Sequence, residues 1–375
     1  MAVTIAAMAI QCSQGNSLAE LARALLGEPR PPQAIVLHGD RYRYHRLSGA
    51  PQQDAYSRLH ALLATALAQA RLGPELLADS ALFLGTSSHS VGEDEQRYLQ
   101  GEDGACPLRG RRQGVLAEQL AAAFSLGAGC YTLSTACTSS ANALLLAGEA
   151  IAAGDCRAAV VATEEGFNQT SLRGFDGLML LADEHCHPFD VDRDGMVPGE
   201  GAGVVVLLDS ALLPADSPWQ GLRWRGGASA CDPEGITCSS AGAMAAVMAQ
   251  ALDDAGAQKE EIALLKAHGT GSLANDATEA EAMRAFFADE LPPFTLLKGP
   301  LGHTLGACGL LELVALLACL RAGYAPPAHG CHVVDPQLGC APLREAMPFA
   351  GGLVMLNQFG FGGNNTSLLL EVSHV

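Results

Sequence analysis

Four short stretches hold residues whose types and spacing could do chemistry. Cys137 stands in Ser134-Thr135-Ala136-Cys137-Thr138-Ser139-Ser140-Ala141, where an apolar run gives way to a small-residue helical pattern. The N–H groups and dipole at a helix start favour a thiolate, and the same N–H groups could hold an oxyanion. Cys137 is therefore a candidate nucleophile; a buried Cys in a tight strand-to-helix turn fits the stretch as well. His268 opens His268-Gly269-Thr270-Gly271-Ser272, a loop whose glycines would let a ligand approach the backbone. A histidine that simply closes a strand end matches the same letters. Lys298 lies five residues before His303 in Lys298-Gly299-Pro300-Leu301-Gly302-His303, where it could polarise a neighbouring imidazole. Alone, it reads more plainly as a solvated surface charge. Finally, Gln358-Phe359-Gly360-Phe361-Gly362-Gly363 could supply an N–H donor or an aromatic gate, or be only a turn between two C-terminal strands.

Other chemistries find less support. There is no GxxxxGK[ST] phosphate loop, and Gly199-Glu200-Gly201-Ala202-Gly203 leads into a strand pattern rather than a helix. His185-Cys186-His187 crowds its potential ligands onto one short stretch, poor geometry for a single ion, so no metal site is expected. The 12 cysteines form no CxxC pair, several sit in apolar runs as small hydrophobes, and no secretory signal precedes them. A reducing cytoplasm is the expected setting. Lys+Arg 22 against Asp+Glu 40 gives a formal charge of −18, which argues against nucleic acid as partner. No apolar stretch is long enough to span a membrane.

These residues need a scaffold, and at 375 residues with 49% apolar content the chain can build a large core. Short apolar runs alternate with longer Ala/Leu helical patterns, the mark of an α/β fold. The pattern predicts strands at 3–10, 81–84, 130–133, 158–163, 203–208, 222–228, 262–267, 353–357 and 367–372. It predicts helices at 17–26, 56–72, 115–124, 139–152, 243–255, 278–287 and 309–322. Residues 87–114 read as a polar surface loop, and 212–220, with Pro214 and Pro218, as a joint between two halves.

Together with Pro188-Phe189-Asp190-Val191-Asp192-Arg193-Asp194-Gly195 and the run to Gly203, the four stretches resemble the β-ketoacyl-acyl-carrier-protein synthases, the decarboxylating condensing enzymes of the thiolase superfamily. The resemblance covers most of the chain and is weakest before Cys137. It implies an α/β thiolase-like fold of two similar βαβαβαββ halves in five layers, 1–211 carrying the nucleophile and 212–375 carrying both histidines and the lysine. The Cys-His-His pattern marks the elongating branch. Cys137 would accept an acyl group from acyl carrier protein. His268 and His303 would stabilise the enolate formed as a malonyl-type carrier thioester loses CO2, with Lys298 holding the structure around His303 and shaping its electrostatics. The N–H groups of Cys137 and Phe361 would form the oxyanion hole. Thr270 and Ser272 match positions that contact the phosphopantetheine arm, Glu279 an acidic position that supports the loops, and Phe361 a gating aromatic. No cofactor is implied beyond the arm that carries the substrate.

The resemblance also implies partners. An acidic carrier meeting an acidic chain needs a local basic patch; Arg109, Arg111 and Arg112 are the candidates, with Arg41, Arg43 and Arg46 behind them. Family members pair through the sheet edge near the nucleophile strand, here 130–133, as homodimers or with a ketosynthase-like partner. The alternative to an active enzyme is such a chain-length partner, which lacks the nucleophile; a thiolase or hydrolase acting on coenzyme A esters and a decarboxylase that only makes a primer are further rivals. Met196 stands where an aromatic residue is usual and Ser272 where a second Thr is usual. Those departures bear on substrate identity, fatty-acyl or polyketide/aryl-polyene type, more than on chemistry.

Overall fold

A run such as Val3–Cys12 is apolar on both faces, so it must be covered on both faces to be stable as a strand. The computed structural model, which describes residues 1–48, 54–88, 90–101, 114–233, 235 and 239–373, achieves this with helices on each side of a long mixed sheet. Its strands are β1 (Val3–Cys12), β2 (Gln33–Leu37), β3 (Asp40–Tyr44), β4 (Ser80–Gly85), β5 (Cys130–Leu133), β6 (Ala158–Glu165) and β7 (Gly201–Asp209). Then follow β8 (Leu222–Cys231), β9 (Ile262–Lys266), β10 (Phe294–Thr295), β11 (Tyr324–Ala325), β12 (Met347–Pro348), β13 (Gly352–Phe359) and β14 (Asn364–Val372). The helices are α1 (Leu18–Leu26), α2 (Ala55–Ala70), α3 (Pro74–Ala78), α4 (Val91–Leu99), α5 (Val115–Ala123) and α6 (Ser139–Ala153). They continue with α7 (Gln169–Gly177), α8 (Ala241–Ala255), α9 (Leu273–Phe287), α10 (Lys298–Leu301) and α11 (Cys308–Arg321).

Ten strands form one sheet in the order β10-β9-β13-β14-β8-β1-β7-β6-β4-β5. Read outward from its centre, the sheet is the same object twice. One half runs β1-β7-β6-β4-β5 and the other β8-β14-β13-β9-β10. In each, the first two pairings are antiparallel and the last two parallel. The halves join where β1 meets β8 through Val3–Trp224 and Thr4–Arg223 alone. The expected joint at 212–220 lies between β7 and β8.

Helices α6 and α11 lie between the halves, while α2 covers β1 and β7 and α8 covers β8 and β14 from outside. This gives the five layers of a thiolase-like fold. Every residue from Cys308 to Leu320 is buried; a helix apolar all round must be interior. Close approach of α6 and α11 depends on Gly309, where an added Cβ would lie 2.7 Å from the Ala141 nitrogen.

Nine expected strands and seven expected helices are present, most of them longer than their apolar cores. The expected loop at 87–114 needs correction. It contains α4, whose nine residues include no buried one, so no apolar stripe announces it. Helix α7 and the hairpin β2–β3 are likewise polar or half-exposed and escaped the pattern. Among the described residues no helix is long and apolar enough to cross a membrane, and no group of His, Cys, Asp or Glu could hold a metal ion.

Candidate active site

The four chemical stretches arrive at one cavity from different elements. Cys137, His268, Thr270, Ser272, His303 and Phe361 all line it, with Phe175, Leu180 and Met196 forming an apolar wall. Cys137 lies in a 3-10 turn, Ala136–Thr138, that feeds α6. Ala136 has φ 52°, the left-handed region that costs an L-residue roughly 1–2 kcal/mol, and this sharp entry presents the Cys137 side chain at the helix start. The backbone N–H groups of Phe361 and of Cys137 itself both point at the sulfur, so the two expected oxyanion donors converge. Gly363 holds that turn: its φ is +73°, and a Cβ there would lie 2.0 Å from the Asp232 carbonyl oxygen.

Burial pushes the Cys137 thiol up, against the pull of the Phe361 N–H and Lys298, and so opposes the thiolate that a helix start favours.

His268 ends the strand–loop connection after β9, and its loop is pinned by two buried carboxylates. Glu279 accepts from the His268 N–H at 2.6 Å and the Gly269 N–H at 2.8 Å; burial raises its pKa to about 7 in spite of those bonds. Asp276 accepts from the N–H groups of Thr270, Gly271 and Phe189, which ties the 188–195 stretch to the same loop. Thr270 Oγ1 and Ser272 Oγ are 2.9 Å apart at the cavity wall. His303 is clamped by the 196–203 stretch, its N–H donating to Val197 O at 2.8 Å and its carbonyl accepting from Gly199 N at 3.0 Å.

Behind the imidazoles lies a buried charge network. Glu312 of α11 accepts from Lys266 Nζ at 2.5 Å and Lys298 Nζ at 2.7 Å. Burial opposes its charge, but the two ammonium groups outweigh that and hold its pKa at about 2. For Lys298, likewise, burial is overcome by Glu312 and its pKa rises. Lys298 Nζ reaches His268, donating to its carbonyl at 2.9 Å and lying 3.1 Å from Nδ1. The hydrogen-bonding contacts of Lys298 are thus to His268 and Glu312 rather than to His303, while its field acts on His303 as the resemblance implied.

Both imidazoles are neutral at physiological pH. Burial, then Lys298, pushes His303 down to about 3 and His268 well below its ordinary value. Their rings are nearly perpendicular, with centroids 5.8 Å apart. His303 Nδ1 accepts from the Leu305 N–H at 3.0 Å, so its proton sits on Nε2, a donor for an oxygen in the cavity.

Sequence reasoning missed Glu312, Lys266 and Glu165. Glu165, fully buried, accepts from Thr86, Ser87 and Ser88, and its charge works against ionisation of Cys137. A signal existed for Glu312 and Lys266. A single carboxylate in an apolar helix and a lysine ending an apolar strand must find partners when buried.

The docking candidates fare unequally. Arg109, Arg111 and Arg112 lie outside the described residues. Arg43 pairs with Glu184, and Arg46 stacks over Phe167 at 4.9 Å; both are engaged within the chain. Arg41 on β3 is exposed. Strand β5, the expected pairing edge, is the sheet's outer strand, and Tyr131 on it is 51% exposed.

Known proteins match this architecture. Residues 46–211 fit the family described as β-ketoacyl synthase, N-terminal domain, and 224–332 its C-terminal domain. The chain is 30% identical over 306 residues to the reducing polyketide synthase FUB1 of Gibberella fujikuroi, covering 77% of this chain but only 12% of that protein. It is 31% identical over 249 residues to the chloroplastic 3-oxoacyl-[acyl-carrier-protein] synthase I of Hordeum vulgare, covering 63% of this chain and 54% of that one. The chain thus spans only a part of these relatives. Among solved structures, the ishigamide ketosynthase/chain length factor superposes with a TM-score of 0.87 at 25% identity, covering 99% of both chains.

Proposed function

The chain belongs to the β-ketoacyl synthase family, and from that premise we propose that it is a decarboxylating condensing acyltransferase acting on acyl-carrier-protein thioesters. The observation that carries this reading is the convergence of the Cys137 thiol, two backbone N–H groups and the His303 Nε2–H on one cavity. Cys137 attacks the carrier thioester; the new C–S bond forms as the old one breaks, and the proton leaves with the carrier thiol. A malonyl-carrier thioester then enters and loses CO2. The electron pair left behind is held as an enolate, whose oxygen takes a hydrogen bond from His303 Nε2. Its carbon attacks the Cys137 thioester, the oxyanion rests on the N–H groups of Cys137 and Phe361, and collapse expels the Cys137 sulfur. No step needs a strong base or a bound cofactor.

Thr270 and Ser272 line the approach and suit the polar amides of a phosphopantetheine arm. Phe361, edge-on to Phe175 at 5.9 Å, is placed to gate it. Partner pairing through β5, with a second copy or a ketosynthase-like chain, suits an exposed edge strand that would otherwise leave its backbone unpaired. The pathway, fatty-acid or polyketide, follows from the acyl group accepted.

The test is to incubate the protein with an acyl-carrier and a malonyl-carrier and follow the mass of the carrier-bound product. The reading expects a β-ketoacyl group longer than the donor by one malonyl-derived unit. No product with any donor until a second ketosynthase chain is added would favour the chain-length-partner reading.

A further inference from the structure

Gln358, near the end of β13, is 1% exposed and touches both His268 and the charge network. Its amide nitrogen donates to Glu312 Oε2 at 2.8 Å, and its carbonyl oxygen lies 2.7 Å from His268 Nδ1. The amide cannot be turned round. Glu312 is ionised and accepts only, so a flipped amide would set oxygen against oxygen in a buried site. The thiol of Cys308 lies 3.4 Å from the Gln358 oxygen, but it has one proton and a shorter contact, 3.1 Å, to the Cys137 carbonyl. The Gln358 oxygen must therefore face His268.

Two groups then compete for one imidazole nitrogen. Gln358 requires a proton on His268 Nδ1; Lys298 Nζ, at 3.1 Å, would require a lone pair there. The shorter contact decides, because an unprotonated nitrogen against a carbonyl oxygen at 2.7 Å is a meeting of lone pairs in a low dielectric. Lys298 gives up little, since it already donates to Glu312 Oε1 and to the His268 carbonyl. A proton on Nδ1 of a neutral imidazole leaves Nε2 bare.

We propose that Gln358 is a positioning residue that fixes His268 as its Nδ1–H tautomer, so that the cavity is offered a lone pair by His268 and a proton by His303. This deepens the condensing-enzyme reading and rests on it. It also revises the equal roles expected for the two histidines. The enolate oxygen rests on His303, while His268 can only accept a proton or hydrogen bond. Glu312 sets both sides of the arrangement, by holding the amide one way round and by occupying Lys298.

The test reads the tautomer directly. In protein labelled with 15N-histidine, two-bond proton–nitrogen spectra at neutral pH distinguish a protonated Nδ1 from a protonated Nε2, and the His268 signals are identified by their loss in His268→Gln. The proposal expects Nδ1 protonated in the unaltered protein. It expects the proton to move to Nε2 in Gln358→Met, which removes the acceptor and lets Lys298 reach Nδ1. A lone pair on Nδ1 of the unaltered protein overturns the proposal, and this readout stands whether or not any substrate is turned over. As a second readout, Gln358→Met should lower kcat for malonyl-carrier decarboxylation by about 10²-fold, the typical worth of one positioned proton-transfer group. Acyl loading of Cys137 should fall by less. Equal losses in both steps would mark a merely structural role and overturn the functional half of the proposal.

Discussion

The entrances to α6 and α11 are built alike and used differently. Each begins with a non-glycine residue in the left-handed region, Ala136 at φ 52° and Leu305 at φ 48°. Each then makes a 3-10 turn, Ala136–Thr138 or Leu305–Ala307, that runs into a buried helix between the two halves of the sheet. At the first entrance the backbone N–H of Cys137 points into the site and stays available to a substrate oxygen. At the second the Leu305 N–H is taken by His303 Nδ1 and the Gly306 N–H by Ser87 Oγ. A repeated backbone device thus leaves an N–H open toward the cavity once and orients an imidazole once. The difference lies in which side chain stands at the turn and whether its N–H groups are satisfied within the protein. Further along, α6 carries its one carboxylate, Glu149, far from the entrance, whereas α11 carries Glu312 one turn in and so anchors Lys266 and Lys298.

Breaking the second entrance should have the largest effect on stability. Glu312→Gln leaves two buried lysines without their carboxylate, a loss of about 3–5 kcal/mol for a broken buried pair. Denaturant titration should show a clearly lower midpoint. Next, His303→Gln removes the proposed enolate donor while leaving the first entrance intact. Decarboxylation of malonyl-carrier should fall by about 10²–10³-fold, with acyl loading of Cys137 affected far less; equal losses would mean the entrances do not divide the work.

The same variant sharpens the comparison through pH. The folded pKa of His303 is depressed to about 3 from 6.5 by burial and Lys298. Its contribution to stability is therefore fully present above pH 6.5 and is lost as pH falls toward 3, because the unfolded chain takes up a proton that the folded one refuses. Stability of the unaltered protein should thus drop more steeply than that of His303→Gln between these limits, measured by denaturant titration at stepped pH. Parallel curves would place the imidazole in contact with water. The smallest expected effect is at the first entrance. Ala136→Gly relieves the left-handed strain but frees the unfolded chain, for a net gain of about 0.5 kcal/mol. A loss of stability would show that the turn is unstrained.

How much of this was legible in the sequence follows the same physics. Most core strands were legible as apolar runs, although Arg223 and Arg225 interrupt β8; Cys137 and His268 were legible because each follows a strand beside small residues, and His303 because it stands in a glycine-rich turn that leads into an apolar helix. Helix α4 was not, since none of its residues is buried and no apolar stripe betrays a helix lying on the surface. Nor was the charge network. Lys266 and Glu312 are 46 positions apart, and their pairing is a fact of topology, of β9 and α11 packing end to side. Lys298 was read with its sequence neighbour His303; its field does act there, but folding brings its Nζ into contact with His268. Gln358 was visible as a letter in a glycine-rich motif, but its role depends on an ionised carboxylate supplied by another helix.

The central claim is that the two entrances hold separable chemistries, acyl capture at Cys137 and enolate formation at His303. The most direct measurement is the intact mass of three proteins after exposure to acyl-carrier: the unaltered chain, Cys137→Ala and His303→Gln. The account predicts a gain of one acyl group in the first and third and none in the second. A gain in Cys137→Ala, or none in His303→Gln alongside a normal gain in the unaltered chain, would contradict it.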